Sequence, residues 1–404
     1  MSGPLHGLRV LDLSRVLAGP ACTQILGDMG ADVIKVERPG IGDDTRKWGP
    51  PFLKDENGND TAESAYYLSC NRNKRSIAID ITTKAGQEIV HKLLEKSDVL
   101  IENFKVGNLS KFGLGYDQVS ARHPHIIYAS ITGFGQNGPL APEPGYDFLV
   151  QAMGGLMAAT GEPDGTPMKA GVALSDIMTG LYTAIGILAA LNERHKSGLG
   201  QHVDLSLLDC TLASMTNLAQ FYLTSGHVAP RLGNAHSTIV PYQAFKTADG
   251  YVIIAVGNDT QFRRLSEALG QNWADDERFA TNRARVLNRQ DLTPQLESII
   301  AQKPTALWTD LFREIDVPGG PVNTMDQVFA QEQIAARDMK ITMEHSATSK
   351  NIDLVGSPLK LSRSPVEYRL SPPAEGQQTR DILHSILMMK DEVIDTLMKD
   401  GTIR

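Results

Sequence analysis

Asp176 is a carboxylate whose place in the chain admits either a structural or a chemical role. It stands in GVALSDIMTG (Gly171–Gly180), just before a strongly apolar run, Ile177–Leu191 (IMTGLYTAIGILAAL). Two roles fit a carboxylate there. It can cap the helix that the apolar run predicts, accepting a backbone N–H of the first turn. It can also serve as a nucleophile, one route of covalent catalysis, made reactive by partial desolvation, with helix N–H groups steadying a developing oxyanion. Other chemistries lack their residues. Gly133-Phe134-Gly135-Gln136-Asn137-Gly138 matches the G-x-G-x-x-G of dinucleotide-binding turns and follows a predicted strand. Pro139, Pro142 and Pro144 come directly after it, and such a segment cannot open the helix on which a pyrophosphate would rest. GxxxxGKS/T, HExxH and GxSxG do not occur, so ATP-driven, zinc-protease and hydrolase-elbow chemistries lose their usual support. His123 and His125 flank Pro124 at a strand entry and are read as structural. Cys22, Cys70 and Cys210 lie far apart without metal or disulfide spacing, which predicts no metal site and a reducing, cytoplasmic compartment.

The elements that must position Asp176 alternate strand and helix. Leu8–Leu13 predicts a buried strand, and Pro20–Asp28 a helix whose proline sits where a missing N–H costs nothing. Gly30 closes that helix and Asp32–Glu37 is the next strand. Ser76–Ile81, the amphipathic helix Lys84–Lys96, Asp98–Glu102, Ile126–Thr132 and Val203–Ser206 continue the pattern. Repeated βα units predict an α/β, Rossmann-like large domain with a mainly parallel sheet. The Ile177–Leu191 run is shorter than the about 20 residues of a membrane span and reads as a buried core helix. Residues 1–9 carry no apolar stretch of the secretory-leader kind. After about residue 225 the character changes. Tyr242–Lys246 and Tyr251–Val256 predict a hairpin, followed by helices Gln261–Leu269, Asp291–Gln302 and Thr305–Ile315. The expected division is a large domain of residues 1–205 with 340–404 and a small α+β domain of 228–328, with 206–227 and 329–339 as linkers. Helices Asp381–Met389 and Asp391–Met398 end the chain.

Composition bounds the partners. The 404 residues are 41% hydrophobic and 21% charged, enough for a sizeable core in two or three domains. A net charge of −8 argues against nucleic acid but leaves room for an anionic small molecule in a local basic pocket.

Six segments in order resemble one family, the class III CoA-transferases, also called CaiB/BaiF. They are Gly7–Arg46 (GLRVLDLSRVLAGPACTQILGDMGADVIKVERPGIGDDTR), NKRSIAIDI (Asn73–Ile81), IENF (Ile101–Phe104), SITGFGQNGP (Ser130–Pro139), GYDFLVQAMGG (Gly145–Gly155) and the run from Gly171 to Leu191. The resemblance implies a homodimer of two interlocked ring-like chains, and a CoA thioester as substrate with no tightly bound cofactor. It places the catalytic Asp at Asp176. That carboxylate would attack an acyl-CoA to give a mixed anhydride and free CoA thiolate, the thiolate would then form an aspartyl-CoA thioester, and an incoming carboxylic acid would take up CoA by the reverse steps.

The resemblance also implies CoA contacts at Val16, Leu17 and Ala18 after the first strand, and a cation near the nucleotide at Arg38, on a strand end where such ligands gather. Ile79, Thr82, Asn103, Phe104 and Lys111 match further CoA-contacting positions, Lys111 standing where many members carry Arg. Tyr146 matches an active-site tyrosine; the alternative is a ring packed under its loop. The stretch Arg231–Tyr251 lacks the glycine-rich flap of formyl-CoA transferases and resembles the succinate–hydroxymethylglutarate (glutarate) branch. Arg231, Asn234 and His236 would then meet the far carboxylate of a short dicarboxylate. Trp48, shared with some oxalate-using members, keeps a formyl- or oxalyl-CoA-type transferase as an alternative. A 2-methylacyl-CoA racemase is disfavoured because Tyr146 replaces the base histidine of that group. A non-enzymatic CoA-binding protein would have no use for Asp176.

Overall fold

Six strands, all parallel, build the sheet that carries the candidate site: β1 (Arg9–Asp12), β2 (Asp32–Glu37), β3 (Lys74–Ala78), β4 (Val99–Glu102), β5 (Ile127–Thr132) and β6 (His202–Ser206). Their spatial order is 3-2-1-4-5-6, the order of doubly wound dinucleotide-binding sheets. In that order the winding reverses between β1 and β4, and the crevice beyond their carboxyl ends is where ligands bind. The structure, a computed structural model, describes residues 3–348 and 350–404.

Near-continuous Val, Ile and Leu runs suit strands buried on both faces. Val10, Leu11, Ile34, Leu100, Ile101 and Ile127 are all fully buried. One face is covered by α2 (Lys84–Leu94) and the C-terminal helices Thr379–Ser385 and Asp391–Lys399, through Ile89, Leu93, Leu94, Ile382 and Ile394. The other is covered by α1 (Ala18–Asp28) and α4 (Leu174–Ser197), through Cys22, Leu26, Ile187 and Leu191. These two helices cross closely: a Cβ on Gly180 would lie 2.7 Å from the Ala18 carbonyl oxygen. Between β5 and β6 also stands α3 (Asp147–Met153), and α5 (Leu207–Ser214) follows β6.

Several sequence expectations are modified. α1 begins at Ala18, not Pro20, which places the proline third, still inside the turn whose N–H groups have no helical partner. α4 starts before the apolar run, at Leu174, and is not a fully buried core helix. Thr179, Thr183, Ile187 and Leu191 face the interior, while Ile177, Leu181, Tyr182 and Ile185 are exposed. By length and composition alone α4 could cross a membrane, as core helices of soluble proteins also can.

The chain divides into two units, Met1–Leu156 with Ala170–Gln220 and Ala335–Arg404, and Met157–Lys169 with Phe221–Ile334. The expected linker 206–227 therefore supplies α5 to the first unit, because Leu207, Cys210 and Thr211 are buried there. Residues 157–169, expected in the large domain, group with the second unit. The second unit holds an antiparallel sheet of Tyr242–Lys246, Tyr251–Ala255 and Gly319–Pro321. Helices Asp259–Ala268, Arg289–Ile300 and Thr305–Glu314 share its core of Phe245, Phe262, Leu296, Trp308 and Phe312.

Candidate active site

The chain leaves β1 through residues 13–17 and leaves β4 through Asn103 and Phe104, so both segments reach the reversal point of the sheet. They are stitched together there. The Arg15 N–H donates to Asn103 Oδ1 at 2.9 Å, and Asn103 Nδ2 donates to the Arg15 carbonyl at 2.7 Å. Val16 follows with φ of +73°, a left-handed conformation that a β-branched residue adopts only under constraint. Its N–H donates to Asp43 Oδ1 at 3.3 Å. Asp43 is in turn held by Lys35 Nζ at 2.8 Å, which also donates to the Ser14 carbonyl at 2.9 Å. Burial works against the charge on Asp43, but Lys35 outweighs it and holds the carboxyl down at about 2. Leu17, at the N-cap of α1, offers no side-chain cap.

Asp176 is the third residue of α4, and the capping is done by another carboxylate. Asp147, the first residue of α3, accepts the Ser175 N–H at 2.8 Å and the Asp176 N–H at 3.4 Å through Oδ1. Gln151 Nε2 donates to the other oxygen of Asp147 at 2.7 Å. Asp176 is thus released from the cap role, and its carboxylate lines the cleft. Burial first, and the neighbouring negative charge of Asp147 second, push Asp176 up to about 7. The phenol of Tyr66 is pushed up to about 12, by burial and then by the charge of Asp176.

Two adjoining clefts gather most of the predicted residues. The smaller, about 240 Å³, is lined by Val16, Leu17, Ala18, Asn103, Phe104, Tyr146 and Asp176. The larger, about 450 Å³, is lined by Arg38, Ile79, Thr82, Phe104 and Lys111. Arg15 and Phe104 belong to both. Arg38 is exposed, Lys111 Nζ donates to Asn108 Oδ1 at 3.0 Å, Thr82 Oγ1 donates to Asp80 at 2.6 Å, and Ile79 is core with an edge on the cleft. Tyr146 is 69% exposed, so its ring is not packed beneath the loop. Trp48 lines neither cleft; it meets Tyr66 edge-on at 5.2 Å between ring centroids.

Arg231, Asn234 and His236 belong to the second unit. The Arg231 guanidinium donates to the carbonyls of Gly165 (2.7 Å), Glu162 (3.2 Å) and Ala158 (3.5 Å), tying down the segment that sequence reasoning left with the large domain. His236 lies against Tyr242, and Asn234 is exposed. Within G-x-G-x-x-G, Gly133 serves a close approach of backbones: a Cβ there would lie 2.5 Å from Gly145 Cα. No helix opens before Asp147, and both glycines line the smaller cleft.

Three residues escaped sequence reasoning. Asp147 stands inside the quoted GYDFLVQAMGG, but nothing local tells that it caps a helix beginning 27 positions later. Tyr66 sits in no motif. Arg15 is in the quoted Gly7–Arg46 segment without an assigned role. Among the described residues no group of three or more His, Cys, Asp or Glu could hold a metal ion, and the three cysteines are buried and unpaired.

Comparison with known proteins places this geometry. The model of CoA-transferase family III matches residues 5–379. The chain is 47% identical over 386 residues to the succinate–glutarate CoA-transferase of Agrobacterium fabrum, covering 94% of this chain and 95% of that protein. It is 44% identical over 401 residues to the succinyl-CoA:glutarate CoA-transferase of Mus musculus, covering 99% and 90%. The crystal structure of a CaiB/BaiF family protein from Brucella suis matches with a TM-score of 0.86 at 47% identity, covering 96% of this chain and all of that one. With a family model spanning nearly its whole length and such relatives, the chain belongs to CoA-transferase family III, the CaiB/BaiF family, and is a CoA-transferase.

Proposed function

We propose that this enzyme moves CoA from succinyl-CoA, or a similar short acyl-CoA, to a short dicarboxylate, through an aspartyl anhydride and an aspartyl-CoA thioester on Asp176. The observation that carries the mechanism is the division of labour at α4: Asp147 caps the helix, and Asp176 is left free of the cap role, half-buried and lining the cleft. The dicarboxylate class rests on the two relatives, both named for glutarate and succinate or succinyl-CoA.

In the proposed sequence an Asp176 oxygen attacks the thioester carbonyl, the C–S bond breaks, and CoA leaves as thiolate. The thiolate attacks the aspartyl carbonyl of the anhydride, releasing the first acid and forming the aspartyl-CoA thioester. The incoming carboxylate attacks that thioester, and the freed thiolate finally attacks the new acyl carbonyl, regenerating the Asp176 carboxylate. No proton need be lost or gained overall. The CoA nucleotide is proposed to lie toward the larger cleft, with Arg38 and Lys111 near its phosphates, and the thioester in the smaller one beside Val16–Ala18 and Tyr146. The homodimer is proposed as well, supported by the exposed apolar residues Ile177, Leu181, Tyr182 and Ile185 of α4 with Phe148, Leu149 and Met153 of α3. Covering them would bury apolar surface that a lone chain leaves in water.

The test is an acid panel with succinyl-CoA as donor, read as new CoA thioesters by mass spectrometry, with light scattering on the same preparation. Glutarate and its near homologues are expected as the best acceptors, from a dimer. Asp176→Asn is expected to lose on the order of 10³-fold in turnover. Best turnover with a monocarboxylate or oxalate overturns the substrate class, near-normal turnover of the Asn variant overturns the mechanism, and a fully active monomer overturns the dimer.

A further inference from the structure

We propose that Arg15 recognises the distal carboxylate of the dicarboxylate substrate, taking it in place of Asp44. This rests on the dicarboxylate class proposed above and assigns the side chain that selects it. A dicarboxylate brings a second negative charge into a cleft whose lining already includes Asp44, Glu143 and Asp176. That charge needs a cationic partner there, and the cations lining the smaller cleft are Arg15 and Lys105.

Arg15 is the better built of the two. Its backbone is clamped on both sides by Asn103, at 2.9 and 2.7 Å, so its Cα is fixed at the reversal point of the sheet. Its guanidinium lies over the Phe104 ring at 5.6 Å and donates to Asp44 Oδ2 at 2.6 Å. The Arg15 and Asp44 side chains are 46% and 41% exposed, and an ion pair that open to water contributes little. Exchanging Asp44 for a substrate carboxylate is therefore inexpensive, and the planar guanidinium fork can bind that carboxylate through two N–H groups. Lys105 is an exposed point charge without such a fork. Arg231, expected from sequence to hold the distal group, has its donors on three backbone carbonyls of its own unit.

Arg15 also lines the larger cleft, so the same chemistry would suit a CoA phosphate, and the test separates the two. With glutaryl-CoA as donor, succinate is compared as acceptor with succinamate, in which one carboxylate becomes an uncharged amide of nearly the same shape. The wild type is expected to prefer succinate. Arg15→Gln should shrink that preference by roughly 10-fold or more, the scale of a charge-assisted hydrogen bond, through KM for succinate. Arg15→Lys should restore part of it, and inhibition by free CoA should move by less than about twofold. Equal losses on both acids, a large rise in the CoA inhibition constant, or the selective loss appearing in Lys105→Ala instead would overturn the proposal. A wild type indifferent to succinate over succinamate sinks the dicarboxylate class itself. A wild type with the preference, kept in Arg15→Gln, sinks only the role of Arg15.

Discussion

The two units treat buried charge in opposite ways. The second unit has an apolar core of Phe, Leu, Val and Trp side chains, and its one buried ionic side chain among the described residues is Arg285. Arg285 is satisfied by the carbonyls of Val240 and Phe279 and by Asp259. The first unit buries Lys35 against Asp43 and Lys74 beside Asp12, all four without solvent exposure, and Arg46 between Glu37 and Glu63 over the Tyr67 ring. Burying such pairs rarely adds stability over an apolar packing of equal volume. Their use here is positional. Lys35 and Asp43 lie directly beneath residues 13–17, and between them they hold Ser14 and the left-handed Val16. Strain of that kind persists only where the surroundings over-determine it, and it gathers at functional sites.

The largest effect should come from breaking that support. Lys35→Ala leaves the Asp43 carboxylate buried and unpaired and should cost about 3–5 kcal/mol in denaturant unfolding. It should also raise KM for the acyl-CoA, because Val16 is freed to relax. In the second unit Leu296→Ala should cost about 2–5 kcal/mol by leaving a cavity, with KM for the acyl-CoA little changed. If Lys35→Ala lowered stability and left KM untouched, the buried charges would be as purely structural as Leu296.

A smaller effect sharpens the contrast at Asp176. As the proposed nucleophile, Asp176 must be ionised, and its folded-state pKa is raised to about 7, so turnover should fall as pH drops through about 7. Asp147→Asn removes the neighbouring negative charge but keeps an acceptor for the Ser175 N–H. The acid limb of the rate profile should move to lower pH, with a stability loss no larger than the about 1 kcal/mol of a lost cap. The stability sign runs the other way. A carboxylate raised above its unfolded value weakens the fold as pH climbs from that value toward about 7, so Asp176→Asn should gain Tm relative to wild type over that window. A limb unmoved in Asp147→Asn would mean that burial alone sets the pKa of Asp176.

Local patterning made much of this legible. The βα alternation predicted the parallel sheet, and the Tyr242–Val256 hairpin and its three following helices lie within a few residues of the observed elements. What escaped depends on contacts between distant positions. That Asp176 does not cap α4 is visible only once Asp147, on another helix, is seen accepting the N–H groups. Arg231 reads as a free cation until the carbonyls of residues 158–165 fold against it. Residues 157–169 carry no pattern that tells which unit they join. The exposed face of α4 was hidden for a compositional reason, since an apolar run looks alike whether one side or both are covered.

The proposed covalent attachment of Asp176 during transfer can be read directly by trapping. Wild-type enzyme is incubated with succinyl-CoA, treated with hydroxylamine, digested, and examined by peptide mass spectrometry. The predicted result is a hydroxamate on Asp176 in the wild type, absent without succinyl-CoA and absent in Asp176→Asn. A hydroxamate on a different carboxylate, or transfer at full rate with no modified peptide, would contradict it.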